Sequence, residues 1–369
     1  MIEETIEEAE GIYQNVIEHS LTKDEVINIL LKDHISREDA LKLMLFDDDE
    51  VLELMAKKAK ELTDMYFGKS ILLYTPLYIS NYCNGGCVYC GYSSLKRGVK
   101  RQRLDYEQIE AELRAIKEKG FDSIIILTGE DREKSSVDYI GKAVELACNM
   151  FSEVIAEVYA MTYEEYRELV KRGLTGITIF QETYNRGLYE KLHLRGQKKD
   201  YSFRINAPER AIMAGVRQVS IGALLGLDVP VKDMFMTLLH GEYLMNQYPD
   251  VEVSICLPRL RPAGVNLKGF YHLDDKNFVR FILTTRLFLK RAGINISTRE
   301  SSYLRDNLIG LGVTKMSAGS KTTVGGYAQD SEERGQFDVN DSRDVNEIVD
   351  AIRKRGYRPE FINWVRGLV

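Results

Sequence analysis

Cys83-Asn84-Gly85-Gly86-Cys87-Val88-Tyr89-Cys90-Gly91-Tyr92 places three of the chain's five cysteines within eight residues, spaced C-x3-C-x2-C. Three thiols this close, separated by glycines, neither share one helix face nor alternate cleanly along a strand. Glycine permits the positive φ that lets a loop wrap and turn backbone N–H groups inward. Such a loop suits a soft, thiophilic centre whose sulfur charge is offset by N–H donors. A structural zinc site needs four protein ligands, and the five histidines, at 19, 34, 193, 240 and 272, are scattered. A ferredoxin-like carrier supplies four ligands per cluster. Three cysteines without a fourth nearby point instead to an iron–sulfur cluster with one iron left open, able to hold a small chelating molecule. Cys148 and Cys256 read as an ordinary helix residue and an ordinary strand residue.

The loop follows the first of eight short apolar runs, over 74–80, 123–128, 154–158, 176–180, 218–222, 251–257, 294–298 and 315–318. Amphipathic stretches lie between most of them, including 106–119, 137–150, 163–172 and 207–214. Gly120, Gly173, Gly215 and Gly293 each stand a few residues before the next run, where a helix end needs a left-handed residue. Eight βα repeats predict an α/β fold, a (β/α)8 TIM-type barrel over residues 71–325; a doubly wound open sheet carries the same local pattern. Residues 1–70 read as a helical N-terminal extension. Thr22-Lys23-Asp24-Glu25 and Ser36-Arg37-Glu38-Asp39 have capping-box form, Asp47 to Asp49 offer a further helix start, and Gly68 closes the region. Residues 326–369 form a short C-terminal extension with one helix over 345–355 and the only tryptophan, Trp364.

The 369 residues are 44% hydrophobic and 29% charged, enough for a sizeable core under a polar surface. A net charge of −6 argues against a general nucleic-acid role while leaving room for a local basic site. No apolar run approaches the roughly 20 residues of a membrane span, and the acidic start Met1-Ile2-Glu3-Glu4-Thr5 lacks signal-peptide form. Clustered, odd-numbered cysteines indicate metal chemistry in a reducing compartment, and the expected location is cytoplasmic.

Barrel chemistry gathers where strands finish, and polar residues fall in that register. Thr128-Gly129-Glu130 ends the second run, Glu157 lies late in the third, and Gln181-Glu182-Thr183 follows the fourth. Gly222 to Gly226 ends the fifth, and Pro258-Arg259-Leu260-Arg261 follows the sixth. Ser297-Thr298-Arg299-Glu300 and Ser317-Ala318-Gly319-Ser320 end the last two. Singly, each is as easily a satisfied polar group or a solvated loop; their convergence on one end is what points to a site.

The cysteine spacing, with an aromatic before the third cysteine, resembles the signature loop of the radical S-adenosylmethionine (SAM) superfamily. Tyr78-Ile79-Ser80-Asn81-Tyr82, Gln181-Glu182-Thr183-Tyr184, Ser297-Thr298-Arg299-Glu300, Ser320-Lys321-Thr322-Thr323-Val324-Gly325-Gly326-Tyr327 and the ending Gly356-Tyr357-Arg358-Pro359…Trp364 resemble the aromatic amino acid lyases, in particular the tyrosine-cleaving branch that serves thiamine thiazole formation. The resemblance implies one [4Fe–4S] cluster on Cys83, Cys87 and Cys90, whose open iron binds SAM. It further implies Tyr89 against the adenine, Thr128-Gly129-Glu130 at the SAM amino group, Glu157 and Glu182 at ribose hydroxyls, Arg204 at the SAM carboxylate, and the 221–227 stretch, including Gly222, near the adenine edge. Thr128 replaces the first glycine of the family's Gly-Gly-Glu-like segment. Arg299 is the candidate for the carboxylate of the L-tyrosine substrate, with Ser317 and Ser320 adding hydrogen bonds. Arg259 and Arg261 have weaker claims, and Tyr92 and Tyr327 serve equally well as packing residues.

The implied reaction cleaves the Cα–Cβ bond of tyrosine to 2-iminoacetate (dehydroglycine) and p-cresol, with 5′-deoxyadenosine and methionine formed from SAM. The implied partners are a low-potential electron donor of flavodoxin or ferredoxin type and a thiazole synthase that receives the imine; nucleic acid and membrane are not expected. Alternatives are a hydrogenase-maturation tyrosine lyase, against which the lack of cysteines after Cys256 argues, a tryptophan-cleaving relative, and a non-catalytic iron–sulfur binding or electron-transfer protein.

Overall fold

Eight parallel strands close on themselves. The computed structural model describes residues 1–261, 269–329 and 335–363, so Trp364 lies outside the described residues. The strands are β1 (Ser70–Ser80), β2 (Ser123–Thr128), β3 (Glu153–Glu157), β4 (Gly176–Glu182), β5 (Gln218–Ala223), β6 (Glu252–Cys256), β7 (Gly293–Ile296) and β8 (Lys315–Ser317). Each pairs in parallel with the next, and β1 pairs with both β2 and β8. That double pairing excludes the open sheet. Runs such as Ser123-Ile124-Ile125-Ile126-Leu127 are buried throughout, as expected for parallel strands covered on both faces.

A short ninth strand, β9 (Arg358–Glu360), which sequence reading misses, pairs in parallel with Ser70–Leu72 of β1. Two charged residues around a proline, with no apolar alternation, carry no strand signal by themselves. Helices fill the crossovers, and several begin at side-chain caps; Asp105, Ser136 and Thr162 each accept from an N–H in the first turn. Gly120, Gly173 and Gly215 take positive φ as expected, whereas Gly293 does not. Gly293 opens β7 itself, and a Cβ there would stand 2.2 Å from Ser254 Oγ, so its smallness serves strand-to-strand packing.

Four helices precede the barrel: Ile2–Ile17, Lys23–Leu30, Arg37–Leu45 and Asp49–Phe67. Thr22, Ser36 and Asp48 cap the last three. They lie against the barrel's outer helices Pro230–Gln247 and Asp275–Phe288. Val26, Val51 and Met55 share an apolar cluster with Leu283 and Leu287, while Lys232–Glu10 and Arg37–Glu242 ion pairs fix the rim. Among the described residues, no helix is long and apolar enough to cross a membrane.

Candidate active site

The cysteine loop leaves β1 and is held on every side by backbone. Asn84 N–H donates to the Glu130 carbonyl at 3.1 Å, and Ser94 N–H to the Gly85 carbonyl at 2.9 Å. The 192–195 segment runs beside it, with Val88 N–H to Leu192 and Gly86 N–H to Arg195, both at 3.1 Å. Glycine is required at the contacts: a Cβ on Gly86 would stand 2.9 Å from the Arg195 nitrogen, and one on Gly129 would stand 2.2 Å from the Tyr82 carbonyl oxygen. A Cβ on Gly85 would intrude at 3.3 Å from Cys83 Sγ and 3.8 Å from Cys87 Sγ. Gly85 thus keeps open the space between two sulfurs. All three thiols are free and line one cavity of ≈ 970 Å³, its open mouth included. Among the described residues no three His, Cys, Asp or Glu side chains are grouped to hold a single metal ion. Three soft donors around a shared open space fit an iron–sulfur cluster better than mononuclear zinc.

The same cavity brings together Tyr89, Thr128, Gly129, Glu130, Glu157, Glu182 and Arg204, seven residues expected from sequence. Arg204, buried in the short helix Tyr201–Ile205, donates through Nε to the Phe180 carbonyl at 2.7 Å and through a terminal nitrogen to Glu130 Oε1 at 3.0 Å. Glu182 has φ of +73°, the one non-glycine positive φ among the described residues, at an irregularity in the β4–β5 pairing. Such strain persists where the surroundings over-determine it. Here Lys198 Nζ stands 2.6 Å from Glu182 Oε1 and 3.9 Å from Glu130, with Arg204 at 3.6 Å from Glu182. Burial alone would push the Glu182 carboxyl up; Lys198 and Arg204 outweigh it and hold the group below its ordinary value. Gly222 is not part of this lining. Its missing side chain accommodates the Cys256 carbonyl, which a Cβ would meet at 2.3 Å.

Lys198 and His193 were not expected from sequence. Lys198 sits in a three-residue turn, Gln197–Lys199, too short to carry a pattern. His193 is fully buried; burial, with Lys198 nearby, lowers it to about 3, so the ring is neutral. Its Nδ1 is 2.8 Å from the Tyr189 carbonyl, which can only accept, leaving Nε2 to accept from the Tyr89 hydroxyl at 2.7 Å. The Tyr89 ring is thereby fixed against the cavity wall. Cys87 pairing with His193 across the two segments is the contact that sequence spacing does not reveal.

A second cavity, ≈ 710 Å³ with its mouth included, adjoins the first and shares Glu157, Thr178, Phe180, Pro258, Arg299 and Phe337. Ser317, Ser320 and Cys256 line it. Arg299 stacks on Phe337, guanidinium carbon 3.4 Å from the ring centre, and forms no ion pair among the described residues. Arg259 and Arg261, by contrast, both donate to the buried Glu300, so their charges are already answered. The Ser320 hydroxyl is buried without a partner among the described residues, whereas Ser317 Oγ accepts from Thr298 N–H at 3.1 Å. Buried Arg305 donates to the Ser317 carbonyl and pairs with buried Asp341, fixing this end of β8. Tyr92 lines the first cavity. Tyr327 is a packing residue, its hydroxyl spent on Thr75, the Pro76 carbonyl and Lys321 N–H.

Glu157, at the tip of β3, faces both cavities. Burial raises its carboxyl from an ordinary 4.5 to about 7; Arg299 opposes the rise and Glu182 adds to it. The native state therefore keeps a proton that the unfolded chain releases between these values, and stability falls as pH rises through that window. Glu157→Gln removes this dependence. Its melting temperature relative to the parent is expected to climb from pH 5 to pH 8, measured by calorimetry; a constant difference would show that Glu157 is not strained by ionisation.

A barrel mouth thus carries three free thiols around an open space, beside buried opposite charges. The family model for the radical SAM superfamily matches residues 77–239, and that for the Biotin and Thiamin Synthesis associated domain matches 256–358. The 2-iminoacetate synthases of Salmonella typhimurium and Escherichia coli are 35% and 34% identical to the chain, each over 93% of it and 91% of their own length. The X-ray structure of the FeFe-hydrogenase maturase HydG from Carboxydothermus hydrogenoformans superposes with a TM-score of 0.92 at 31% identity, covering 98% of this chain and 86% of that one. The chain belongs to the radical SAM aromatic amino acid lyase family, the family of 2-iminoacetate synthase.

Proposed function

We propose that the protein is a tyrosine lyase that cleaves the Cα–Cβ bond of L-tyrosine to 2-iminoacetate and p-cresol, for assembly of the thiamine thiazole. The observation that carries this reading is Arg299, a cation that lines both adjoining cavities and has no carboxylate partner among the described residues. A [4Fe–4S] cluster on Cys83, Cys87 and Cys90, with SAM, supplies when bound the one-electron hydrogen-abstracting chemistry and leaves as products 5′-deoxyadenosine and methionine. The Arg204–Glu130 pair offers a cation and an anion 3.0 Å apart, a complement to the carboxylate and ammonium of a bound amino acid zwitterion such as the methionyl end of SAM. In this reading Tyr89, fixed by His193, gives the adenine a flat wall, and Glu157 and Glu182 take ribose hydroxyls.

Beyond Glu157, Arg299 holds the tyrosine carboxylate through its planar fork, and the unpartnered Ser320 hydroxyl takes a further polar group of the substrate. Ser317 contributes through the strand end that Arg305 and Asp341 steady. The shared walls, Phe180, Pro258 and Phe337, are apolar and keep water from the reacting atoms. Because 2-iminoacetate hydrolyses readily, its release suits close hand-over to a thiazole synthase.

Anaerobically reconstituted protein given SAM, a reductant and L-tyrosine should form 5′-deoxyadenosine and p-cresol together. Absence of p-cresol from protein with a full cluster overturns the reading, and release of the tryptophan side chain from L-tryptophan in its place transfers the assignment to that substrate.

A further inference from the structure

Two of the side chains lining the second cavity carry a buried polar atom with no hydrogen-bond partner among the described residues: Ser320, through its hydroxyl, and Asn295, through Oδ1. The strands finish at the barrel mouth, so position along the chain gives depth. Ser320 and Arg299 each stand three residues beyond the end of a strand, β8 and β7. Asn295 lies inside β7, paired in register with Cys256 of β6. It is therefore the deeper of the two unmatched groups, four residues and at most about 14 Å of chain below Arg299. Asn295 is 8% exposed. Its amide is held from the other end, with Nδ2 donating to Ser220 Oγ at 3.4 Å, and the Cys256 thiol interacts with both side chains. The neighbouring hydroxyls in the cavity are engaged. Ser317 Oγ accepts from Thr298 N–H and interacts with Tyr74, Ser297 Oγ accepts from Arg299 N–H at 3.3 Å, and the Thr322 hydroxyl donates to the Phe337 carbonyl at 3.1 Å. Ile125, Leu127, Phe180 and Leu257 supply apolar wall suited to an aromatic ring.

We propose that Asn295 Oδ1 accepts a hydrogen bond from the phenol hydroxyl of the substrate and so selects tyrosine over phenylalanine. The inference rests on the reading of L-tyrosine as substrate, with its carboxylate on Arg299. With that end held at the mouth, the side chain runs down the barrel toward the depth of Asn295, and its hydroxyl meets the one deep acceptor that the described residues leave open. Phenylalanine occupies the same space but leaves Oδ1 buried and unmatched, which is how a site rejects a ligand that lacks a single hydroxyl. Asn295 acts on specificity: it meets the far end of the ring and takes no part in breaking the Cα–Cβ bond.

The test is equilibrium binding to the anaerobically reconstituted full chain, with SAM but no reductant so that nothing turns over, measured by titration calorimetry. The parent should bind L-tyrosine at least about 30-fold more tightly than L-phenylalanine. Asn295→Leu, similar in volume, should bring the two within about threefold by weakening tyrosine and leaving phenylalanine as it was. Asn295→Asp, which keeps an acceptor oxygen at the same place, should retain the preference. A tyrosine preference that survives Asn295→Leu overturns the assignment, as does a loss shared equally by both amino acids or a parent without preference. 4-Fluoro-L-phenylalanine, near tyrosine in size but without a donor, repeats the test on the parent alone. It should bind like phenylalanine, and binding as tight as that of tyrosine overturns the hydrogen bond. A parent that binds neither amino acid overturns the tyrosine reading and Asn295 with it, whereas tyrosine binding without p-cresol in the separate turnover assay leaves the Asn295 result standing.

Discussion

Arg299→Ala is expected to raise the tyrosine KM by at least about 100-fold, the equivalent of losing a charge-assisted carboxylate pair in a partly dry site, while SAM cleavage without tyrosine persists. The two readouts separate because Arg299 reaches into the second cavity, which the SAM-side charges Arg204, Glu130 and Lys198 do not line. Arg299→Lys should recover part of the affinity, since a point charge without the planar fork satisfies one carboxylate oxygen better than two. Removal of the guanidinium also frees the Phe337 ring, so kcat is expected to fall with the rise in KM. An unchanged tyrosine KM would take Arg299 out of the site.

Cys87→Ala should lose iron and sulfide almost wholly and lower 5′-deoxyadenosine formation by at least about 1,000-fold, since loss of second-shell partners alone costs about 10–100-fold at metal centres. Cys87 is the buried member of the three thiols, and its backbone pairs with His193. Cys148→Ala and Cys256→Ala are the controls. Cys148 is outside the barrel mouth, its thiol 3.3 Å from the Gly173 carbonyl; Cys256 lines the second cavity, away from the loop. Iron content should be unchanged in both, with Cys256→Ala free to alter tyrosine KM. Iron loss in either would mean a cluster held differently.

What could be read from residues alone was whatever rests on local pattern. The eight strands appear within a few residues of where their apolar runs place them, and Thr22, Ser36 and Asp48 cap helices for reasons confined to four residues. The strand-end rule collected Glu157, Glu182, Arg299 and Ser320 at one mouth. What could not be read depends on partners far away in sequence. Lys198 matters because β4 bends Glu182 toward it, His193 because its segment lies beside Cys87, and Arg305 because Asp341 comes back beneath it. Gly293 and Gly222 were glycines for steric reasons supplied by neighbouring strands. Arg259 and Arg261 had weaker claims than Arg299, and Glu300 takes both.

The pairing of β9 with β1 sets an order of events during synthesis. β1, which delivers the cysteine loop, emerges among the first 80 residues, but its near-N-terminal half finds its neighbours only at Lys315–Ser317 and Arg358–Glu360. Contacts across such separations form late and slowly. A nascent chain therefore carries three thiols just beyond a strand whose edge stays open until β8 and β9 have been made. A chain cut short before β8 would expose that edge beside the thiol loop.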